Sequence, residues 1–434
     1  MSAALRSFEA QWRARAADAL RPIREQAMQR FLKLGLPTLR DETWRYTDLR
    51  SLAGQSFEDA PCESCGEIDP SALLSLVDAE QHAITLVMIN GCAPLNAADS
   101  VINGIEINSI NELSRLDPKA AARFFPPASD ADQHRWALLN TALFVDGLVL
   151  KITKRVTAPL VILRVSTGDR AHTAAHPRII IDAAPGSSAT IIEHHVTQGE
   201  ISPLNNSNTH ISLARDAQLE HYRVYATSAG AGHIDSLDIH QAQGSRCKQF
   251  TIALGGGLVR SSLEANLSQP GASLESFSLL VGHADRHVDC VNIVTHAAPN
   301  TRSRQTARAI ASDTSRVIFN SKVIVKAGAI HADSQQSCRG LLLSPNAEID
   351  TRPQLEIHAD EVKCAHGATT GRLDPDMLFY LLSRGLDRET AQSLLVYAFL
   401  ADVLTGMSVT SARSAIENAL ISQLPDSQIL RKFR

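Results

Sequence analysis

Cys364-Ala-His366 is the pair in this chain whose types and spacing best suit metal chemistry. Residues two apart on an extended segment point the same way, so a thiol and an imidazole would share one face. Both suit soft or borderline metals, iron and iron–sulfur clusters included. A cluster normally takes four protein ligands, so this pair would have to act with groups from elsewhere. The alternative on residue chemistry alone is a buried cysteine packed as a small apolar residue, with the histidine satisfied by a backbone carbonyl.

Other candidates carry less chemistry. Cys62-Glu-Ser-Cys65 is a lone pair of thiols with no second such motif. A structural zinc site needs about four ligands, so two free thiols in a loop are expected. His283 and His287 are four apart in strand-like surroundings, which separates them by ~13 Å and reads as a surface pair. His194 and His195 would face opposite sides of a strand and chelate poorly. Gly255-Gly-Gly257 lacks a following lysine and reads as a flexible turn. No Gly-x-x-x-x-Gly-Lys-Ser/Thr is present, so the chain is not expected to hydrolyse ATP itself. Gly-x-Ser-x-Gly and His-Glu-x-x-His are also missing.

The elements that must position Cys364 and His366 come from 434 residues, 44% hydrophobic and 20% charged, enough for two or three domains with a buried core. Aromatic residues are only 5%, so small and β-branched side chains must fill much of the interior. A net charge of −4 argues against a global pull toward nucleic acid or an anionic membrane. No stretch approaches the ~20 apolar residues of a membrane-spanning helix. Glu9 and Arg13 interrupt the opening segment, so no secretory signal is expected. The seven cysteines are then expected to be reduced thiols in a cytoplasmic protein.

Residues 1–135 form an N-terminal helical and mixed region. Phe8, Trp12, Ala16, Leu20, Ile23, Ala27, Phe31 and Leu34 recur at helical spacing, Pro22 kinks or divides the segment, and Gly35 ends it. The polar stretch 40–48 reads as a loop pinned by Trp44 and Tyr46. From about Trp136 to residue 372, short β-branched runs follow one another without an intervening helix. Gly186, Asp216, Gly244, Gly271 and Asn300 open short polar turns 30, 28, 27 and 29 residues apart, and Asn346 opens another 46 further on. Strands at this period favour a β-solenoid over an evenly spaced antiparallel sandwich. Residues 373–434 turn helical. Asp374-Pro375 starts a helix that stops at Gly385, and a second begins near Asp387 with the stripe Ala391, Leu394, Leu395, Ala398 and Phe399. A third is expected from Ser408 to about Leu424. This helical cap needs a surface to bury its stripe, either the end of the β region or another protein.

The segment 353–372, with Leu378 to Leu386 and Ala391 to Phe399, resembles the SufB/SufD family of iron–sulfur cluster assembly proteins. Gln335, Leu341 to Ser344, Ala347, His296 and Pro299 agree upstream, and Glu42-Thr-Trp-Arg-Tyr-Thr47 resembles the family's Trp/Tyr-Thr element. The form Cys-x-His-Gly-Ala-Thr-x-Gly is similar to the SufD branch.

The resemblance implies a mainly β fold: a right-handed parallel β-helix core flanked by N-terminal and C-terminal α-helical regions. It implies a non-catalytic subunit that pairs with a SufB-like subunit through the β-helix and binds a SufC-like ABC-type ATPase through the C-terminal helices. Leu378, Tyr380, Arg384, Leu394 and Phe399 are the candidate ATPase-binding residues. His366, and less directly Cys364, would be inter-subunit ligands of a transient iron–sulfur cluster that the isolated chain does not hold stably. A homodimer could form when the partner is absent. A SufB-like scaffold and, in a different class, a carbohydrate-active β-solenoid enzyme are the alternatives.

Overall fold

The computed structural model describes residues 2–62, 84–93, 100–125, 134–167, 172–198 and 203–422. From Gln218–Ala226 onward, strands that follow one another in sequence lie on opposite walls of a solenoid, and until the last coil each pairs in parallel with the strand one coil later. Leu258–Leu267 pairs with His287–His296, with Val259 opposite Val288, while the intervening Ser273–Gly282 pairs with Arg302–Ala311 on the other wall. Among the described residues the two walls hold 13 and 9 strands. The fold is therefore mainly β, a parallel β-solenoid with helices at both ends of the chain.

One corner of each coil is a residue in the left-handed region: Gly186, Asp216, Gly244, Gly271, Asn300, His331 and Glu361, with φ between 55° and 76°. Each sits two residues before a strand of the 9-stranded wall, so a single turn geometry repeats seven times. Glycine enters this region freely, and Asn and Asp tolerate it better than most residues. The sixth turn in this series opens at His331, not Asn346. Asn346 precedes Glu348–Ile357 on the opposite wall, which is why the expected spacing jumps there.

The solenoid interior is a continuous file of aliphatic side chains, including Leu148, Ile162, Ile181, Ile211, Leu237, Leu263, Val294 and Val323. The aromatic residues lie mainly outside it, where helices dock. Tyr222, Phe250 and Phe277 stack in consecutive coils, with ring centroids 4.6 and 4.8 Å apart. Such a ladder adds about 0.5–1.5 kcal/mol per pair beyond area burial. Helices Arg388–Leu404 and Thr410–Ser422 cover it through Val396, Leu400, Val403, Leu404, Ile416 and Leu420. The buried stripe of Arg388–Leu404 is thus rotated from the expected one: Leu394 and Leu395 are half-buried and Ala398 is exposed. Opposite, Phe8, Phe31, Trp44, Phe57 and Trp136 pack the N-terminal helices against Ala174, Leu204 and Ile234.

Pro22 divides the first helical segment. Ala3–Ala14 ends before it, and Arg21–Leu34 starts with Pro22 in its first turn, where the missing N–H is harmless. The β region also begins earlier than residue 136. Ile84–Ile89 pairs in parallel with Leu160–Ser166, and Ile105–Ser109 pairs antiparallel with Gly147–Ile152. Trp136 itself lies in a helix, Arg135–Leu143. Cys62 and Cys92 form a disulfide, which corrects the expectation of reduced thiols throughout; Cys65 lies outside the described residues. Among the described residues no helix is long and apolar enough to cross a membrane.

Candidate functional site

Among the described residues no strand pairs beyond the last coil of the solenoid, and only at its edge do Arg352 and Gln354 donate to the Glu42 carboxylate. Strand Lys363–Gly371 closes the 9-stranded wall with one hydrogen-bonded neighbour, Asp333–Leu342, and Glu348–Ile357 closes the other wall beside Arg316–Val325. No residue of either terminal strand is fully buried, whereas the strands before them each bury half or more of their residues. Among the described residues two long parallel edges therefore stand unpaired, each with a row of backbone donors and acceptors facing outward.

Cys364 and His366 lie on this last strand, in register with Ser334 and Gln336. They share one face, as their spacing predicts. Cys364 is half-buried and packs on the end of the aliphatic file, and His366 is exposed. Burial raises the Cys364 thiol above its usual pKa, against a smaller opposing pull from the Ser334 backbone. Cys247, Cys290 and Cys338 are fully enclosed, and burial pushes their thiols up to about 12, 11 and 12. Among the described free cysteines, Cys364 alone reaches the surface. A thiol and an imidazole on an open edge can contribute to a metal centre; among the described residues no third His, Cys, Asp or Glu groups with them.

Helix Pro375–Ser383 follows directly, capped by Asp374, whose carboxylate accepts from the Asp376 N–H at 2.8 Å. It buries none of its residues: Phe379, Met377 and Tyr380 are 71%, 58% and 55% exposed. Leu378 lines a cleft of about 640 Å³ with Leu343, Arg388, Val396 and Leu400. Arg384 donates to the Tyr380 hydroxyl at 3.2 Å. The structure thus gathers Leu378, Tyr380 and Arg384 on or beside one helix. Leu394 and Phe399 sit half-buried on the next, where Phe399 packs toward the wall under Arg308.

Residues 165–399 match the family described as "SUF system FeS cluster assembly, SufBD core domain", and residues 5–162 match "SufBD protein N-terminal region". The iron–sulfur cluster assembly protein SufD of Escherichia coli (strain K12) is 30% identical over 425 residues, 96% of this chain and 95% of that protein. This chain belongs to the SufBD family. An iron–sulfur cluster assembly SufBD family protein of Synechocystis is 29% identical over 402 residues, 89% of this chain and 87% of its own length. The Bacillus subtilis SufD is 23% identical over 411 residues, 92% and 93% of the two chains. The chain therefore acts in iron–sulfur cluster assembly as a SufBD-family subunit.

The interior of this SufBD subunit holds polar groups that reading the sequence passed over. Arg164 donates to Glu193 at 2.7 Å inside the solenoid, and Glu193 also accepts from Thr209 and bonds His221. Burial alone would raise the Glu193 carboxyl, but the His221 hydrogen bond and the charges of Arg164 and Arg223 hold it down at about 2. Further along, Gln249, Ser276 and Asn292 are linked by hydrogen bonds, and so are Gln305, Ser321 and Gln336. The matching pairs Ser303/Gln305 and Ser334/Gln336, 31 residues apart, were the available signal.

The Trp/Tyr-Thr element of this SufBD chain is pinned, as expected of a loop with Trp44 and Tyr46, but its strongest ties are polar. Thr47 donates to Asp289 and bonds His287, Arg260 pairs with Asp289, and Arg260 also donates to the Thr43 carbonyl at 2.7 Å. Arg260 stacks over Trp44 at 4.3 Å. His287 is thereby tied to Thr47 and is not half of a surface pair with His283, which is exposed and bonded to Asp313. His194 and His195 are both buried on opposite faces of their strand. Gly255-Gly-Gly257 is a tightly packed turn, not a flexible one. A Cβ at Gly255 or Gly257 would collide with the carbonyls of Thr227 or Ala229.

Proposed function

We propose that this chain is a SufD-branch, non-catalytic subunit working in the cytoplasm. Its bare terminal coil docks against a SufB-like β-helix subunit, extending both walls across the interface by β-strand addition. Cys364 and His366 then lie at the junction, where the partner adds the ligands needed to hold a transient iron–sulfur cluster. The observation that carries this reading is the uncovered last coil with both residues on it. Without the partner, the same edges could pair two copies of this chain. Helix Pro375–Ser383 and its neighbours bind a SufC-like ABC-type ATPase through Phe379, Tyr380 and Leu378, with Arg384, Leu394 and Phe399 flanking them. By domain, 1–135 braces the core and adds Ile84–Ile89 and Ile105–Ser109 to its walls, 136–372 carries the pairing edge, and 373–434 carries the ATPase contact.

The E. coli relative carries the SufD name, and the Cys-x-His-Gly-Ala-Thr-x-Gly form supports that branch over a SufB-like scaffold. Membership of a cluster-assembly family displaces the carbohydrate-active reading. Tagged protein is expected to co-purify an ABC-type ATPase and a paralogous β-helix protein. His366→Ala is expected to leave that complex assembled while lowering its cluster yield on anaerobic reconstitution. Normal yield from the variant complex would remove His366 from the mechanism, and failure to capture either partner would remove the proposed role.

A further inference from the structure

A cleft of about 560 Å³ lies between the N-terminal helices and the outer face of the 13-stranded wall, away from the terminal coil. Ile23, Ala27, Leu138 and Thr141 line one side. The other side presents polar groups from three adjacent strands, and the parallel register sets His210, Asp238 and Glu264 in one row. His134, at the N-cap of Arg135–Leu143, reaches that row from the helical side, with its Nε2 3.4 Å from a Glu264 oxygen. One ligand atom each from His134, Asp238 and Glu264 lies within 4.8 Å of the other two.

A second observation points to a ligand. Asn208 is 2% exposed and lines the same cleft. Its amide nitrogen donates to Asp238 at 3.3 Å, while its carbonyl oxygen has no partner. A buried acceptor left unpaired on a side chain that touches Asp238 wants a cation or a donor.

We propose that His134, Asp238 and Glu264 bind a single divalent transition-metal ion of the Zn²⁺ or Fe²⁺ class, with Asn208 orienting Asp238 through its amide. One imidazole and two carboxylates suit a borderline divalent ion, and the lack of a thiolate separates this site from cluster chemistry. The open cleft leaves coordination positions to water, as in sites that exchange their contents and unlike closed structural ones. Arg178, stacked 4.5 Å from the Phe125 ring centroid at the edge of the cleft, and Arg30 are within electrostatic reach and temper the affinity. The other cluster with suitable spacing among the described residues, His195, His233 and Asp235, is wholly buried beside Arg164 and Arg223, whose charges oppose a cation.

The test is titration of the full-length, chelator-treated protein with Co²⁺ alone, followed by visible d–d absorption and calorimetry. One equivalent should bind and be displaced by Zn²⁺. Asp238→Asn and His134→Gln should each weaken binding by more than about 10-fold, since even changes beyond the direct ligands cost that much. Circular dichroism and melting temperature should stay at parental values in both. The Cys364→Ser/His366→Ala double variant should bind as the parent does, which keeps the outcome separate from the cluster-assembly role. Parental affinity in an Asp238→Asn/Glu264→Gln variant, loss of binding in the Cys364/His366 variant, or no saturable binding at all would each overturn the proposal.

Discussion

The coil carrying Glu193 and the coil carrying His366 share one backbone repeat and differ in what surrounds it. Strand Ser188–Thr197 has a hydrogen-bonded neighbour on each side, and Ile191 to Val196 are all buried. It encloses an ionised carboxylate paired with Arg164 and bonded to Thr209 and His221. Strand Lys363–Gly371 has one neighbour, and its exposed imidazole makes none of the hydrogen bonds that fix Glu193. Polar groups are enclosed and paired with one another in the coil of Glu193, and the last coil leaves its polar groups on the surface. In a solenoid this division is natural, because each coil contacts only its neighbours and the last coil has one contact fewer.

The largest effect expected is that of pH, because it acts on several enclosed groups together. Burial lowers the imidazoles of His194, His233 and His296 to about 4 and that of His176 to about 3, from an ordinary value of 6.5. Between those values the unfolded chain binds more protons than the folded one, so stability is intact above about pH 6.5 and drains as pH falls toward 4. Urea-unfolding midpoints across that range should fall steadily. A flat profile would break the contrast between an enclosed polar interior and a bare end.

Glu193→Gln should come next. It leaves Arg164 and Arg223 enclosed without their carboxylate, a loss of about 3–5 kcal/mol of the kind seen when one partner of a buried pair is removed. Equilibrium urea unfolding measures it, and a change below about 1 kcal/mol would mean the network is hydrated and weak. Leu400→Ala tests the covered outer face, where Leu400 is 1% exposed under the C-terminal helices. The expected cost is about 2–4 kcal/mol, because the helix cannot collapse fully into the space left. At the bottom of the scale, His366→Ala and Cys364→Ser should change stability by no more than about 0.5 kcal/mol in the same assay. Each should nonetheless lower cluster yield in the assembled complex. A large stability loss at either position would sharpen the comparison in the opposite direction, making the last coil a structural one.

Much of the repeat was legible because its corners demand a left-handed residue. Gly186, Asp216, Gly244, Gly271 and Asn300 carry that demand in their types. His331 and Glu361 occupy the same corner without the usual residue, so the register slid to Asn346 on the other wall. The buried stripe on Arg388–Leu404 is rotated from the one its apolar residues mark, because hydrophobicity alone cannot tell a face turned to the wall from one half-open to solvent. Ile84–Ile89 looked like any short apolar run, and only pairing with Leu160–Ser166 makes it part of the solenoid. The shared face of Cys364 and His366 followed from their spacing. That this face ends the stack did not, since it depends on no further coil following.

Hydrogen exchange on the full-length protein, alone and bound to a purified SufB-like subunit, reads that open end most directly. Amides of Glu348–Ile357 and Lys363–Gly371 should exchange quickly in the free chain and become protected in the complex, while those of Leu258–Leu267 stay protected in both. A complex that forms while the two terminal strands exchange as fast as before would contradict pairing through the last coil.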